Sequence, residues 1–381
     1  MDFSWSEEQI AFKRTAIEFA QKELNVGLRD RERRSEFSRD NWLKCARFGV
    51  QGLSLPEAFG GTDTDIMTTM LVMEGLGYGC GDNGLLFALN AQMWSVQHPI
   101  LTFGTGEQKK KYLPGLCSGE LIGAHGMSEA GSGSDAYSLR TRAERTDGGY
   151  RLNGSKLFVT NAPHADLAVV FARLDGVKGP WGISVFLVEK GTPGFQVGRD
   201  MEKMGLRTAS LGELILQDCV VPVENRLGKE GAGVAVFNSS MEWERSCILA
   251  SHIGAMERQL EACVRYSRER TQFGQPIGKF QSVGNRVADM KVRVETARLM
   301  LYKVAWLKKM GQNAVMEAAI AKLYLSECFV QSSMEALRIH GAYGYMTESE
   351  IERDVRDAIG GTIYSGTSDI QRGIVARLMG L

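Results

Sequence analysis

Long apolar runs are missing from this 381-residue chain, and none approaches the ~20 residues that a membrane-spanning helix needs. The start, MDFSWSEEQ, has neither a basic stretch nor an apolar one, so no signal peptide is expected. Cysteine is sparse and odd in number: Cys45, Cys80, Cys117, Cys219, Cys247, Cys263 and Cys328 lie scattered, with no CxxC. That excludes a disulfide framework and predicts reduced core thiols in a cytoplasmic protein. The five histidines (His98, His125, His164, His252, His340) form no HExxH and no i,i+4 pair, so no metal site is expected. Charge of either sign is not in excess, since Lys+Arg and Asp+Glu both total 45. No global field favours nucleic acid or an anionic membrane.

What is present is ordinary for a globular protein, 44% hydrophobic and 24% charged, at a length that predicts two or three folding units. The first 120 residues read as helical. Ile10, Ala16, Ile17, Ala20 and Leu24 line one face of residues 6–24, and Asp40 can cap a second helix. Helices are expected over 64–78 and 85–104, and another opens after Gly106 and stops before Pro114. Periodicity changes in 121–230. Residues 166–174, 182–190 and 212–222 are β-branched runs of strand length between Gly and Pro turns, predicting a mostly antiparallel β domain. Residues 231–381 return to helix, with long elements expected at 234–267, 280–310 and 313–340 and a final one after Thr367.

Three stretches carry possible chemistry. MSEAGSGSD (127–135) is a Gly-broken polar loop that can offer N–H groups and hydroxyls to an anion or a heteroaromatic ring. It is not GxGxxG and no βαβ unit surrounds it, so a Rossmann site fits poorly. NGSKLFVTNAPHAD (153–166) sets Phe158 and Thr160 on one strand. In SSMEWERSCIL (239–249), Glu244 falls on the apolar stripe Phe237, Met241, Ile248 and Ala255, whereas Glu242 points away. A carboxylate there is paired, protonated or used. A buried ion pair with Arg245 or a more distant partner is one reading, and a catalytic group is the other.

Four motifs in order, MSEAGSGSD, KLFVTNAPHAD, RERTQFGQPIGKFQ with RIHGAYGY, and IYSGTSDIQRGIVAR, make the whole chain resemble the acyl-CoA dehydrogenase flavoprotein family. The resemblance implies an α+β multidomain fold: an N-terminal helical domain (1–120), a central β-barrel (121–230) and a C-terminal four-helix bundle (231–381). It also implies a homotetramer with one FAD per subunit. It assigns Met127 and Ser128 to the flavin ring and Ser134 to the pyrophosphate region. Phe158 lies over the ring and Thr160 at its N5 edge. Arg270, Gln272, Phe273 and Gln281, with Arg338 and Gly341, hold a neighbouring subunit's FAD. Thr367 and Asp369 meet the adenosine side. Phe158 stands for a common Trp, Arg338 for a Gln and Ala342 for a second Gly, which weakens those assignments.

The family's usual base, a Glu directly before GTS, is here Ser365. A minority, including isovaleryl-type enzymes, places the Glu on the bundle's first helix, the position of Glu244. The resemblance therefore implies that Glu244 removes the Cα proton while a Cβ hydride goes to flavin N5. Arg245, Tyr364, Ser365 and Gly366 lie on the substrate side, with a backbone N–H polarising the thioester carbonyl. Residues 75–94, 239–247 and 363–371 resemble a narrower group that oxidises a prolyl thioester on a peptidyl carrier protein in antibiotic or toxin pathways. The expected partners are a phosphopantetheinylated carrier protein or a CoA thioester, and an electron acceptor, either electron-transfer flavoprotein or O2. A short or branched-chain acyl-CoA dehydrogenase and an oxidase or oxygenase on the same scaffold are the alternatives.

Overall fold

The computed structural model describes residues 4–381, so the first three residues of the N-terminal stretch read above lie outside it. Helix α1 (Glu7–Phe19) begins at Ser6, whose hydroxyl accepts from Gln9 N–H while the Gln9 side chain accepts from Ser6 N–H. The helical pattern then continues to Leu24 as a wider π turn that buries Ala20 and Leu24. Short α2 (Leu28–Arg34) precedes α3 (Arg39–Phe48). Ser38, not Asp40, caps α3, accepting from Asn41 N–H at 3.2 Å. Asp40 sits inside the first turn and pairs with Lys44 at 3.0 Å. Helices α4 (Ile66–Gly79) and α5 (Asn83–Gln92) are buried almost all round. A π turn, Met93–Gln97, joins α5 to α6 (His98–Phe103). Helix α7 (Gly106–Cys117) runs through Pro114 rather than stopping before it. Proline forfeits one N–H bond there, and the burial of Leu113, Leu116 and Cys117 on both sides of it offsets that loss.

Eight strands follow: β1 (Gly123–Gly126), β2 (Arg142–Thr146), β3 (Gly149–Thr160), β4 (Leu167–Leu174), β5 (Ile183–Glu189), β6 (Phe195–Asp200), β7 (Leu211–Pro222) and β8 (Arg226–Leu227). They form one sheet in the order β6-β7-β3-β2-β4-β5-β8, with β1 added alongside β4. Pairing is antiparallel except at β1–β4 and β2–β4. The sheet curves round a shared core of Tyr150, Leu152, Val170, Phe186, Leu214 and Val221. The opposite faces of β4 and β5 (Val169, Phe171, Val185, Leu187) pack outward with Ile100, Leu113 and Val236 of the helices. Alternation along the strands thus makes one face the barrel interior and the other a platform for helices.

The bundle comprises α8 (Gly233–Cys247), α9 (Ala250–Glu269), α10 (Gln281–Lys309) and α11 (Val315–His340). A small hairpin, β9 (Thr271–Gln272) with β10 (Gln275–Pro276), separates α9 from α10. Short α12 (Ala342–Tyr345), α13 (Ile351–Gly361) and α14 (Ser368–Leu378) complete the chain. The helix expected over 234–267 is in fact two, turning at Ile248–Leu249. No proline or glycine forces the turn. Both halves pack on α11, but α8 also rests on β5 and the π turn, whereas α9 crosses α4. All seven cysteines are buried and unpaired. Among the described residues no helix is long and apolar enough to cross a membrane.

Candidate active site

Glu244 stands near the C-terminal end of α8, one turn from buried Met241 and Ile248. The residue keeps partial solvent access while its carboxylate lies deep among protein atoms. One oxygen, Oε1, accepts from the Ser365 hydroxyl at 2.5 Å. The other, Oε2, accepts from the Ser95 hydroxyl. Burial pushes the Glu244 pKa up, against the two serine donors and the nearby charges of Arg245 and Lys322. The ion-pair reading is not what the fold adopts: Arg245 turns its Nε to the Ser365 carbonyl at 3.4 Å. Glu242 does point away, to Lys308 at 2.9 Å.

Ser365 lies in the turn between α13 and α14 at φ 54°, a region a serine adopts at a cost. Two groups pin that turn. Gln371, fully buried in α14, donates to the carbonyls of Ser365 (3.2 Å) and Gly366 (2.9 Å), and Arg245 grips Ser365 as described. The Thr367 hydroxyl accepts from Ile370 N–H at 3.3 Å and caps α14, while Asp369 is exposed beside Arg372. The Tyr364 ring packs 4.5 Å from Phe87, and its hydroxyl is 3.2 Å from His252 Nε2. Trp243 stacks on Trp94 at 5.8 Å, so aromatic side chains flank both neighbours of the acid. Ser95 and Gln371 were missed by sequence reading. A signal for Ser95 existed in its place beside Trp94, but only the π turn aims it at Glu244.

The flavin-assigned residues meet on the barrel. The Ser128 carbonyl accepts from Leu157 N–H at 2.8 Å, tying the 127–135 loop to β3. Lys156, fully buried, pairs with Glu129 at 2.7 Å and donates to the Met127 carbonyl at 3.3 Å. Directly after it β3 bulges, and Phe158 is turned out at φ 58° with 63% of its surface exposed, next but one to half-buried Thr160. Met127 shares a core with Val236 and Phe237 of α8, and Tyr137 reaches Asn238 at 2.8 Å, so the loop abuts the helix of Glu244. The open Phe158 face on the same strand as Thr160, tied to the Ser128 loop, fits a flat heteroaromatic ring such as the isoalloxazine of FAD. Ser134 is exposed.

The remaining assigned residues lie elsewhere on this chain. Arg270 sits 6.0 Å over the Tyr343 ring, Phe273 is 94% exposed in the β9–β10 turn, and Gln281 opens α10. Gln272 and Arg338 are exposed, and Gly341 ends α11 at φ 60°. Lys322, whose field reaches Glu244, lies on α11 sixteen residues before Arg338, about 24 Å at the helical rise. The second group is therefore remote from Glu244 within one chain.

Residues 6–120 match the acyl-CoA dehydrogenase N-terminal domain, 124–219 its middle domain and 231–380 its C-terminal domain. An L-prolyl-(peptidyl-carrier protein) dehydrogenase of Pseudomonas fluorescens is 41% identical over 378 residues, 99% of each chain. The crystal structure of the prolyl acyl carrier protein oxidase AnaB is similar at 51% identity and TM-score 0.98, over 99% of this chain and 100% of that one. The structure of PigA with FAD and proline is similar at 40% identity and TM-score 0.97, over the whole of both chains.

Proposed function

The chain belongs to the acyl-CoA dehydrogenase family, and from that premise we propose that it desaturates a prolyl thioester carried on a phosphopantetheinylated peptidyl carrier protein. It is an FAD-dependent oxidoreductase acting on a CH–CH donor. The observation that carries the mechanism is the buried Glu244 carboxylate, held by two serine hydroxyls on a residue that keeps partial solvent access. Glu244 takes the Cα proton of the thioester. Its raised pKa suits a base working on a weakly acidic C–H. Ser95 and Ser365 fix the plane of the carboxylate and share its charge. Ser365 N–H has no backbone partner among the described residues, and we assign it to the thioester carbonyl, where charge develops. Met127, Ser128, Phe158 and Thr160 would hold the ring of FAD, with Ser134, Thr367 and Asp369 toward its other parts. When bound, FAD supplies the two-electron acceptor for the Cβ hydride.

The exposed group of Arg270, Gln272, Phe273, Gln281, Arg338 and Gly341 supports a homotetramer in which these residues reach a neighbour's FAD, because they are too far from Glu244 to serve the same ring. The prolyl substrate is supported by relatives whose names carry it. Similarity to a named oxidase favours O2 as acceptor, with peroxide as the product that checks it.

The test is anaerobic bleaching of the flavin with prolyl-carrier protein, prolyl-CoA, isovaleryl-CoA and butyryl-CoA. Fast bleaching by the carrier-bound amino acid is expected. Bleaching by the straight or branched CoA esters alone would replace this substrate with theirs. Glu244→Gln should give yellow, folded protein that bleaches at least ~100-fold more slowly.

A further inference from the structure

Lys322 of α11 has no part in the scheme above. Its side chain is fully buried, and Nζ has no hydrogen-bond partner among the described residues. An ammonium placed so is costly unless its charge is used. Nζ lies 5.9 Å from the centre of the Tyr364 ring, and Tyr364 precedes the serine that donates to Glu244. Among the described residues, the carboxylate of Glu244 itself meets only serine donors within hydrogen-bond reach.

We propose that Lys322 is a positioning residue whose ammonium, fixed behind Tyr364, keeps the Glu244 carboxylate ionised and ready to accept a proton. This rests on the reading of Glu244 as the base. The groups facing Lys322 are Arg245 and Glu244 on α8, His252 on α9, Glu327 on α11 and Tyr364 in the turn before α14. His252 is kept neutral, since burial lowers its pKa to about 3. Arg245 is engaged by the Ser365 carbonyl and lies in the field of Arg377. The charge of Arg245 still acts on Glu244, ahead of that of Lys322, but Lys322 is the cation with no hydrogen-bond partner of its own among the described residues. Burial, then Arg245, lowers its own pKa to about 8, so it remains charged at neutral pH.

Lys322→Met keeps length and removes charge, while Lys322→Arg keeps charge. The acid limb of anaerobic flavin bleaching by prolyl-carrier protein should move up by about one pH unit in Lys322→Met. Below the limb, bleaching should slow roughly tenfold. Lys322→Arg should return the limb toward its original position, a rescue that loss of packing alone would not give. Infrared difference spectra against Glu244→Gln read the carboxyl band without turnover, and that band should persist to higher pH in Lys322→Met. Lys322→Gln serves the same purpose if the Met variant does not fold. An unmoved limb together with an unmoved carboxyl band overturns the proposal. If no thioester bleaches the wild type but the band moves as expected, the substrate reading fails and the coupling of Lys322 to Glu244 stands.

Discussion

Ser365 donates its hydroxyl to Glu244 Oε1 across 121 residues of sequence, at 2.5 Å. Ser95 meets the other oxygen from 149 residues away. Hydrogen bonds to a charged group are each worth about 1.5–3 kcal/mol. Ser365→Ala and Ser95→Ala should therefore each slow flavin bleaching by about 10–100-fold, with the double variant less than multiplicative. Each should also move the acid limb up, because burial is then less opposed. Wild-type rates in both would mean that the serines do not hold the working carboxylate.

The base location is open to exchange. Glu244→Ser removes the acid, and adding Ser365→Glu places one across the same gap. The single variant should be inert and the double variant should regain a measurable part of the bleaching rate. No regain in a folded, yellow double variant would show that only the α8 side aims at the reacting carbon.

Lys156 is buried against Glu129 and supports the Met127 carbonyl. Lys156→Met leaves Glu129 without its counter-ion, at a cost of about 3–5 kcal/mol. Urea melts should show that loss, and gel filtration should show weakened FAD retention. Unchanged melts would mean that water and the remaining donors, Arg140 N–H and Thr141, satisfy Glu129.

Helices α4 and α9 cross through glycine. A Cβ on Gly77 would lie 1.9 Å from the Ser251 carbonyl oxygen, and one on Gly254 would lie 2.0 Å from that of Glu74. Gly77→Ala and Gly254→Ala should each destabilise by about 1–3 kcal/mol or more, since backbone must move. Gly131→Ala, with nothing within 4 Å, is the neutral control in the same thermal melts.

Asp357 links α13 to the β6–β7 connection and to α5, accepting from Leu206 N–H at 2.6 Å and from Asn83 at 2.9 Å. Burial pushes its pKa up to about 7. An unfolded aspartate titrates near ~3.9, so between these values the folded chain holds a proton that the unfolded chain has released. Stability from this group therefore falls as pH rises through that window and levels off above about 7. Asp357→Asn should flatten the plot of unfolding free energy against pH there by up to about 1.4 kcal/mol per pH unit. Parallel plots for the two proteins would show that Asp357 is ionised when folded.

The sequence by itself determined the order of helical, β and helical blocks, because side-chain period is a local property that each segment carries alone. It also determined that Glu244 lies on the apolar face of its helix and that Ser365 cannot be a base, since both follow from residue type and spacing. Only the tertiary structure decided what the acid touches. Ser95 reaches it because a π turn rotates that residue toward α8, and Arg245 turns to the Ser365 carbonyl because the turn before α14 offers it. The break at Ile248–Leu249 was likewise hidden, for no helix-breaking residue marks it: beyond the α11 that both share, α8 rests on β5 and the π turn while α9 crosses α4. Distant partners depend on how finished elements dock, and no local period encodes that.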